Sequence, residues 1–179
     1  KGKILPVERF VKSFEEQSLR LADSVFGQTV SGKWVYQSEV IDYVEEDLFM
    51  VPDLSTIRKI PWNKEPTAQI ICDLNYPSSE PSKLAPRQVL KNIVNKLSDD
   101  HLQAIVAPEL EFYLCEQNLD PDLPLKTPIG KSGRRETGSR VFGIDAVNEF
   151  DKLTDDIYDY CEMMNIGVDT LVHESGPSQ

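Results

Sequence analysis

Pro108-Glu109-Leu110-Glu111-Phe112-Tyr113-Leu114 alternates polar and apolar side chains along its length. On a β-strand successive side chains face opposite ways, so Glu109, Glu111 and Tyr113 share one face. Leu110, Phe112 and Leu114 share the other, and the pattern predicts a strand over 104–115 with that face in a core. Two carboxylates at i and i+2 stand about 7 Å apart at the backbone, from a rise of roughly 3.3–3.4 Å per residue. Their side chains can converge on a divalent cation, and Mg2+ and Mn2+ select hard oxygen donors of this kind. A solvated acidic strand face is the plainer reading of the same pair, and the pattern alone leaves both open.

Working outward, Pro86 occupies a first helical position, where its missing N–H costs nothing. Leu90, Ile93, Val94 and Leu97 then share a face, which predicts a helix over 86–98. On the other side, residues 117–140 hold three Pro and three Gly with few apolar side chains. A loop that long is functional or mobile. Phe150, Leu153, Ile157, Cys161 and Met164 define an amphipathic helix over 149–165 that ends near Gly167, a natural cap. A strand over 168–174 follows. It runs into Val172-His173-Glu174-Ser175-Gly176-Pro177-Ser178-Gln179, where a His-Glu pair sits at a strand end, a common place for sites. A strand entering an ordinary turn explains that pair equally well.

The first half reads differently. Val7, Phe10, Val11 and Phe14 mark an amphipathic helix within 7–21, and short β-rich pieces follow at 34–36, 40–44, 48–51, 57–60 and 68–74. Pro77-Ser78-Ser79-Glu80-Pro81-Ser82 is a turn or linker, and a domain boundary is expected there, between 1–82 and 83–179.

Across 179 residues, 30 acidic and 19 basic side chains give a formal charge of −11, with 40% apolar residues. That apolar share suffices for a packed core. A pI near 4.6 argues against nucleic acid, whose binding needs clustered Lys and Arg, and against an anionic membrane surface. No run of 18 apolar residues exists to span a bilayer. Cys72, Cys115 and Cys161 are odd in number and lie in apolar segments, which reads as reduced core thiols in a cytoplasmic protein. The chain starts without Met and stops at Ser178-Gln179, and it reads as a piece of something longer.

Taken together, GKILP at 2–6, PDLSTIRKIPW at 52–62, AQIICDL at 68–74, APRQVLK at 85–91 and APELEFYL at 107–114 form an ordered series. PIGKSGRRETG at 128–138, IDAVNEFD at 144–151, DIYDYCE at 156–162 and DTLVHESGPSQ at 169–179 continue it. The series resembles the glutamine synthetase superfamily, and most its γ-glutamylpolyamine (γ-glutamylputrescine) synthetase-like branch. The resemblance implies an α+β chain: a small β-grasp-like N-terminal domain, then the opening of a catalytic domain with a curved antiparallel sheet. It implies an ATP-dependent ligase that joins the γ-carboxylate of glutamate to an amine such as putrescine through γ-glutamyl phosphate. Glu109, Glu111 and Glu174 match family ligands for Mg2+ or Mn2+. Asp169 matches an acidic position associated with ATP, and Lys131, Arg134, Arg135 and Arg140 could face its phosphates.

The same resemblance marks what is missing. The family's catalytic aspartate loop is expected before Lys1, and a further ligand two residues after Gln179. No catalytic residue is therefore assigned within the chain, and the fragment itself is expected to be inactive. The family site forms between subunits of a homo-oligomeric ring, a dodecamer by resemblance, with glutamate, ATP and an amine or ammonia as partners. Trp34, Tyr36 and Trp62 would supply apolar surface to such a ring, or belong to a local core. Two rivals stand beside the amine ligase: ordinary glutamine synthetase using ammonia, and a non-catalytic assembly or binding member of the family.

Overall fold

The computed structural model describes residues 2–35, 46–138 and 140–179; Tyr36 and the strand expected at 40–44 lie outside them. In chain order the elements are α1 (Val7–Glu15), β1 (Arg20–Ala22), β2 (Asp47–Pro52), β3 (Arg58–Lys59), β4 (Ala68–Gln69) and β5 (Cys72–Asn75). Helices α2 (Pro86–Asp99), α3 (Ile144–Asn148) and α4 (Asp151–Met163) follow, and short 3-10 turns lie at Asp23–Gly27 and Leu54–Thr56. The chain is thus a mixed α and β protein with antiparallel sheet. It divides into two compact units, residues 1–57 with 68–105, and residues 58–67 with 106–179. No helix among the described residues is long and apolar enough to cross a membrane.

In the first unit an antiparallel sheet has the order β1-β2-β5. Leu21 pairs with Leu48, and Val51 with Asp73. Leu48, on the central strand, is fully buried. The Arg20 guanidinium sits 4.7 Å above the Phe49 ring, a cation–π contact across the β1–β2 register. The strand expected over 68–74 divides into β4 and β5. Residue 71 takes its partners from the turn after β2: Asp53 N–H donates to Ile71 O (2.8 Å), and Ile71 N–H to Thr56 Oγ1 (2.9 Å).

The helix expected over 7–21 ends at Glu15. Gln17 enters the left-handed region (φ 49°), Ser18 N–H donates to Ser13 O (2.9 Å), and Gln17 N–H to Phe14 O (3.3 Å). These are the paired bonds of a Schellman stop, which releases residues 20–22 into the sheet. The same stop closes α2 at His101 (φ 59°) and α4 at Asn165 (φ 54°). Leu102 N–H donates to Leu97 O, and Ile166 N–H to Cys161 O, both at 2.8 Å. Asn165, and not the expected Gly167, turns the chain after α4.

The expected boundary at 82/83 lies within the first compact unit. Residues 76–81 fold back as a tight return, with Tyr76 N–H to Glu80 O (2.8 Å), Ser79 N–H to Tyr76 O (2.8 Å) and Ser82 N–H to Leu74 O (2.7 Å). Helix α2 is then tied to the sheet by charge. Arg87 reaches Asp73 (3.1 Å) and Asp53, and Lys91 reaches Asp73 (2.5 Å). Asp53 also accepts from the Ser55 hydroxyl (2.6 Å) and the Ser55 N–H (3.1 Å). The Ser55 hydroxyl first, and Arg87 next, hold its carboxyl down to a pKa of about 2. Leu90, Ile93 and Val94 share the face that their spacing predicts, yet all three are exposed.

The second unit is built around α3 and α4, with Ala146 and Met164 buried. Trp62 lies 5.7 Å from the Tyr160 ring and remains exposed. The strands expected at 104–115 and 168–174 are absent: both stretches carry no assigned strand. Alternation defines two faces but supplies no neighbour, and a strand exists only as part of a ladder. Of the three cysteines, Cys115 is exposed and Cys72 and Cys161 are half-buried, so none is a core thiol, although all are free. Burial pushes the Cys72 thiol above its ordinary range.

Candidate functional site

The long polar stretch after Cys115 separates into two parts. Residues 117–125 leave and return at a neck where Glu116 N–H donates to Lys126 O (2.9 Å). Inside it, Asn118 Nδ2 donates to Leu123 O (3.1 Å), and Asp122 N–H to Asp120 Oδ1 (3.0 Å). Residues 128–138 are held from outside. Gly130 N–H donates to Arg134 O (3.0 Å), and Gly133 bends the chain at φ +77°. The Glu149 carboxylate accepts from Ser132 N–H (2.9 Å), and that bond holds its carboxyl below the usual range. Gly130 lies so close to Glu149 that any Cβ there would overlap the carboxylate.

Three of the four basic residues expected to face phosphates are engaged with carboxylates. Lys131 pairs with Asp151 (2.7 Å), Arg135 with Glu116 (2.8 Å), and Arg140 with both Glu136 (3.2 Å) and Asp145. Their partners answer in kind: Lys131 lowers the Asp151 pKa, and Arg140 lowers that of Asp145. A patch already neutralised this way offers little attraction to an incoming anion.

Glu136 is the residue that sequence reasoning missed. It lies in GRRETG, where neighbouring charges suggest a solvated loop, yet its side chain is 1% exposed. His173, 5% exposed, brings Nε2 to 3.4 Å from Glu136 Oε1, and its Nδ1 lies 2.7 Å from Glu174 O. Phe142 N–H donates to His173 O (2.8 Å), which anchors the same residue through its backbone. The Ser178 hydroxyl is also buried, without a hydrogen-bond partner among the described residues.

Segments 111–114 and 174–179 meet. Leu114 N–H donates to Ser178 O (2.8 Å), and Glu174 N–H to Gln179 O (3.0 Å). The Gln179 amide is a hub: its oxygen accepts from Tyr113 Oη (3.0 Å) and Gly176 N–H (2.9 Å), and its nitrogen donates to Glu111 Oε2 (3.0 Å). Behind this contact a cavity of about 80 Å³ is lined by Phe112, Leu114, Phe150, Leu153, Ile157 and His173, among others. Phe112 was expected in a core and is 50% exposed, while Leu110, expected beside it, is 93% exposed.

The structure therefore joins Glu111 to the turn that carries Glu174, through Gln179. Glu109 and Asp169 are exposed, and Glu174 is half-buried. As donors, the three glutamates suit a hard cation. They are not brought together as one: among the described residues no group of three or more His, Cys, Asp and Glu side chains is placed to hold a metal ion. The expected convergence needed 168–174 laddered beside 104–115. A single bond at Leu114 fixes one point of contact without setting the offset of Glu109.

Residues 83–179 match the family described as glutamine synthetase, catalytic domain. Glutamate–isopropylamine ligase of Pseudomonas sp. is 30% identical over 121 residues, 66% of this chain and 26% of that protein. Gamma-glutamylputrescine synthetase of Escherichia coli is 28% identical over 181 positions, covering 100% of this chain and 38% of that protein. Glutamine synthetase of Methanocaldococcus jannaschii is 29% identical over 156 residues, 83% of this chain and 32% of that protein. The chain thus spans between 26% and 38% of the length of these relatives.

Proposed function

This chain belongs to the glutamine synthetase family, and from that premise we propose that the protein containing it is an ATP-dependent ligase acting on glutamate and an organic amine. The γ-carboxylate of glutamate takes the terminal phosphoryl group of ATP, releasing ADP. The amine nitrogen then attacks the activated acyl carbon, the C–O bond to phosphate breaks, and the nitrogen loses a proton to give the γ-glutamyl amide.

Glu109, Glu111 and Glu174 are the proposed holders of Mg2+ or Mn2+, with further donors from outside this chain. Such a cation, when bound, offsets charge on phosphoryl oxygens. Within the chain, Gln179 and Tyr113 orient Glu111, and the 174–179 turn orients Glu174. Asp169 is a weaker proposal for the nucleotide. The β-grasp-like reading of 1–82, the cytoplasmic setting and the ring of identical subunits belong to the same proposal.

One observation favours an organic amine: the relatives include an isopropylamine ligase, a putrescine-linked synthetase and a gamma-glutamylanilide synthase at 28–30% identity. Glutamine synthetases at 26–29% identity keep ammonia as the second reading. Phosphate release by the full-length protein, with ATP, glutamate and either ammonia, isopropylamine or putrescine, separates them. Faster release with an organic amine than with ammonia is expected. Release with ammonia alone would establish the second reading, and no release with any acceptor would remove the ligase.

A further inference from the structure

Gln179 touches both stretches of the second unit that alternate without a ladder. On one side Leu114 N–H donates to Ser178 O (2.8 Å), and the Gln179 amide bonds the Tyr113 hydroxyl and Glu111 Oε2, each at 3.0 Å. Directly opposed residues of an antiparallel pair share a face, and residues two places along lie on the diagonal, within reach of long side chains. These contacts set Leu114 opposite Ser178 and Tyr113 opposite Gln179, with Glu111 on the diagonal. On the other side the Gln179 backbone turns away, its carbonyl accepting from Glu174 N–H (3.0 Å). His173 O keeps the alternation and faces outward to Phe142 N–H (2.8 Å). Bonded and non-bonded pairs alternate along an antiparallel strand. A residue that meets one neighbour through its side chain and another through its backbone therefore starts a strand with a neighbour on each edge.

We propose that the segment following Gln179 in the full-length protein docks here as a strand between 110–114 and 172–174, antiparallel to both. Among the described residues, Leu110 and Phe112 have no backbone hydrogen-bond partner, and both side chains are exposed. Open donors and acceptors in a row are a template for a strand. The occupant is at hand, because the whole of this chain answers to only 38% of the Escherichia coli synthetase. A segment joined to Gln179 also outcompetes a second copy, through its higher effective concentration. The register follows from the contacts already made. Phe112 takes the first residue after Gln179, Val172 the second and Leu110 the third. Phe112 lines the cavity of about 80 Å³, so the first residue faces that cavity and is apolar. Pro108 has no N–H to give, and the bonded ladder stops at Leu110. This pairing does not depend on which acceptor the protein uses.

The test uses the full-length protein with Cys72, Cys115 and Cys161 replaced by Ser, carrying Leu110→Cys and a cysteine placed third after Gln179. A bonded antiparallel pair holds its Cα atoms about 5.5 Å apart, within the roughly 4.4–6.8 Å that a disulfide spans. Mild oxidation should consume both introduced thiols and shift the chain's mobility on a denaturing gel, reversibly with reductant. A cysteine placed fourth after Gln179 faces the opposite side of the sheet, and it should not cross-link to Leu110→Cys. Equal yield at the third and fourth positions, or no cross-link at either, would overturn the proposal. Cross-linking only between chains would seat a second copy on this edge and overturn it as well. Hydrogen exchange on the unaltered full-length protein guards against a variant that fails to fold. The Leu110 and Phe112 amides should exchange at least about tenfold more slowly than in an unstructured peptide, at every protein concentration. Exchange at the peptide rate, or protection that fades on dilution, would overturn the pairing.

Discussion

Replacing Gly176 with Ala should loosen the contact between 111–114 and 174–179 through one methyl group. Gly176 is not among the residues held at positive φ, so alanine meets no backbone penalty there. The whole cost is contact. An added Cβ would lie 2.6 Å from both Cε1 and Oη of Tyr113 and 2.8 Å from Gln179 Oε1, closer than real Cβ contacts come. Overpacking a rigid core would cost about 1–3 kcal/mol, but Tyr113 is 61% exposed and its ring can swing into solvent. Its departure forfeits the bond to Gln179 and loosens the amide that holds Glu111. At about 0.5–1.5 kcal/mol net for each such bond, the loss is about 1–2 kcal/mol. For a chain of this size that lowers the midpoint of thermal unfolding by about 2–8 °C. In a Tyr113→Ala background only the contact with Gln179 Oε1 at 2.8 Å remains, on the end of a flexible side chain, and the same substitution should cost less, under about 1 kcal/mol. An unchanged melting temperature for Gly176→Ala, or an undiminished drop beside Tyr113→Ala, would refute the steric argument.

Gln17→Gly, His101→Gly and Asn165→Gly should each stabilise by up to about 1 kcal/mol, because these residues hold left-handed conformations that L side chains resist. Asn165 should gain least, asparagine being the most tolerant of the three, and thermal unfolding of the three variants ranks them. Asp53 governs part of the acid limb of stability. Its folded pKa of about 2 lies below its unfolded value, so its contribution is complete above about pH 4 and disappears as pH falls towards 2. Urea midpoints between pH 2 and 6 should fall less steeply in Asp53→Asn than in the wild type, and parallel curves would count against the assignment.

How far these features were legible depended on whether a local pattern carried them. The Pro86 start of α2 and the spacing of Phe150, Leu153 and Ile157 are local, and both helices form where expected. Strands at 104–115 and 168–174 were read from alternation, which is silent about partners, and the exposed Leu110 shows the result. Glycine was expected to end α4, but two backbone bonds sufficed to stop it at Asn165. Glu109, Glu111 and Glu174 were singled out through ordered motifs. Glu136 was not, because Arg134 and Arg135 beside it make the stretch look solvated. It is buried beside Arg140 and His173, and the latter lies 37 residues further along the chain.

The neck at Glu116 and Lys126 gives the chain a place to change length. Residues 117–125 bond chiefly among themselves, so what lies beyond the neck does not depend on what the loop contains. Loops of this build, compact and closed at their own base, absorb inserted residues and protease cuts at low cost. The stretch from 128 to 138 has no such licence, since Glu149 grips it at Ser132 and His173 meets it at Glu136. An epitope tag spliced between Leu119 and Asp120 would leave the registers on both sides undisturbed. The same splice at Gly133 would pull Glu136 from its place.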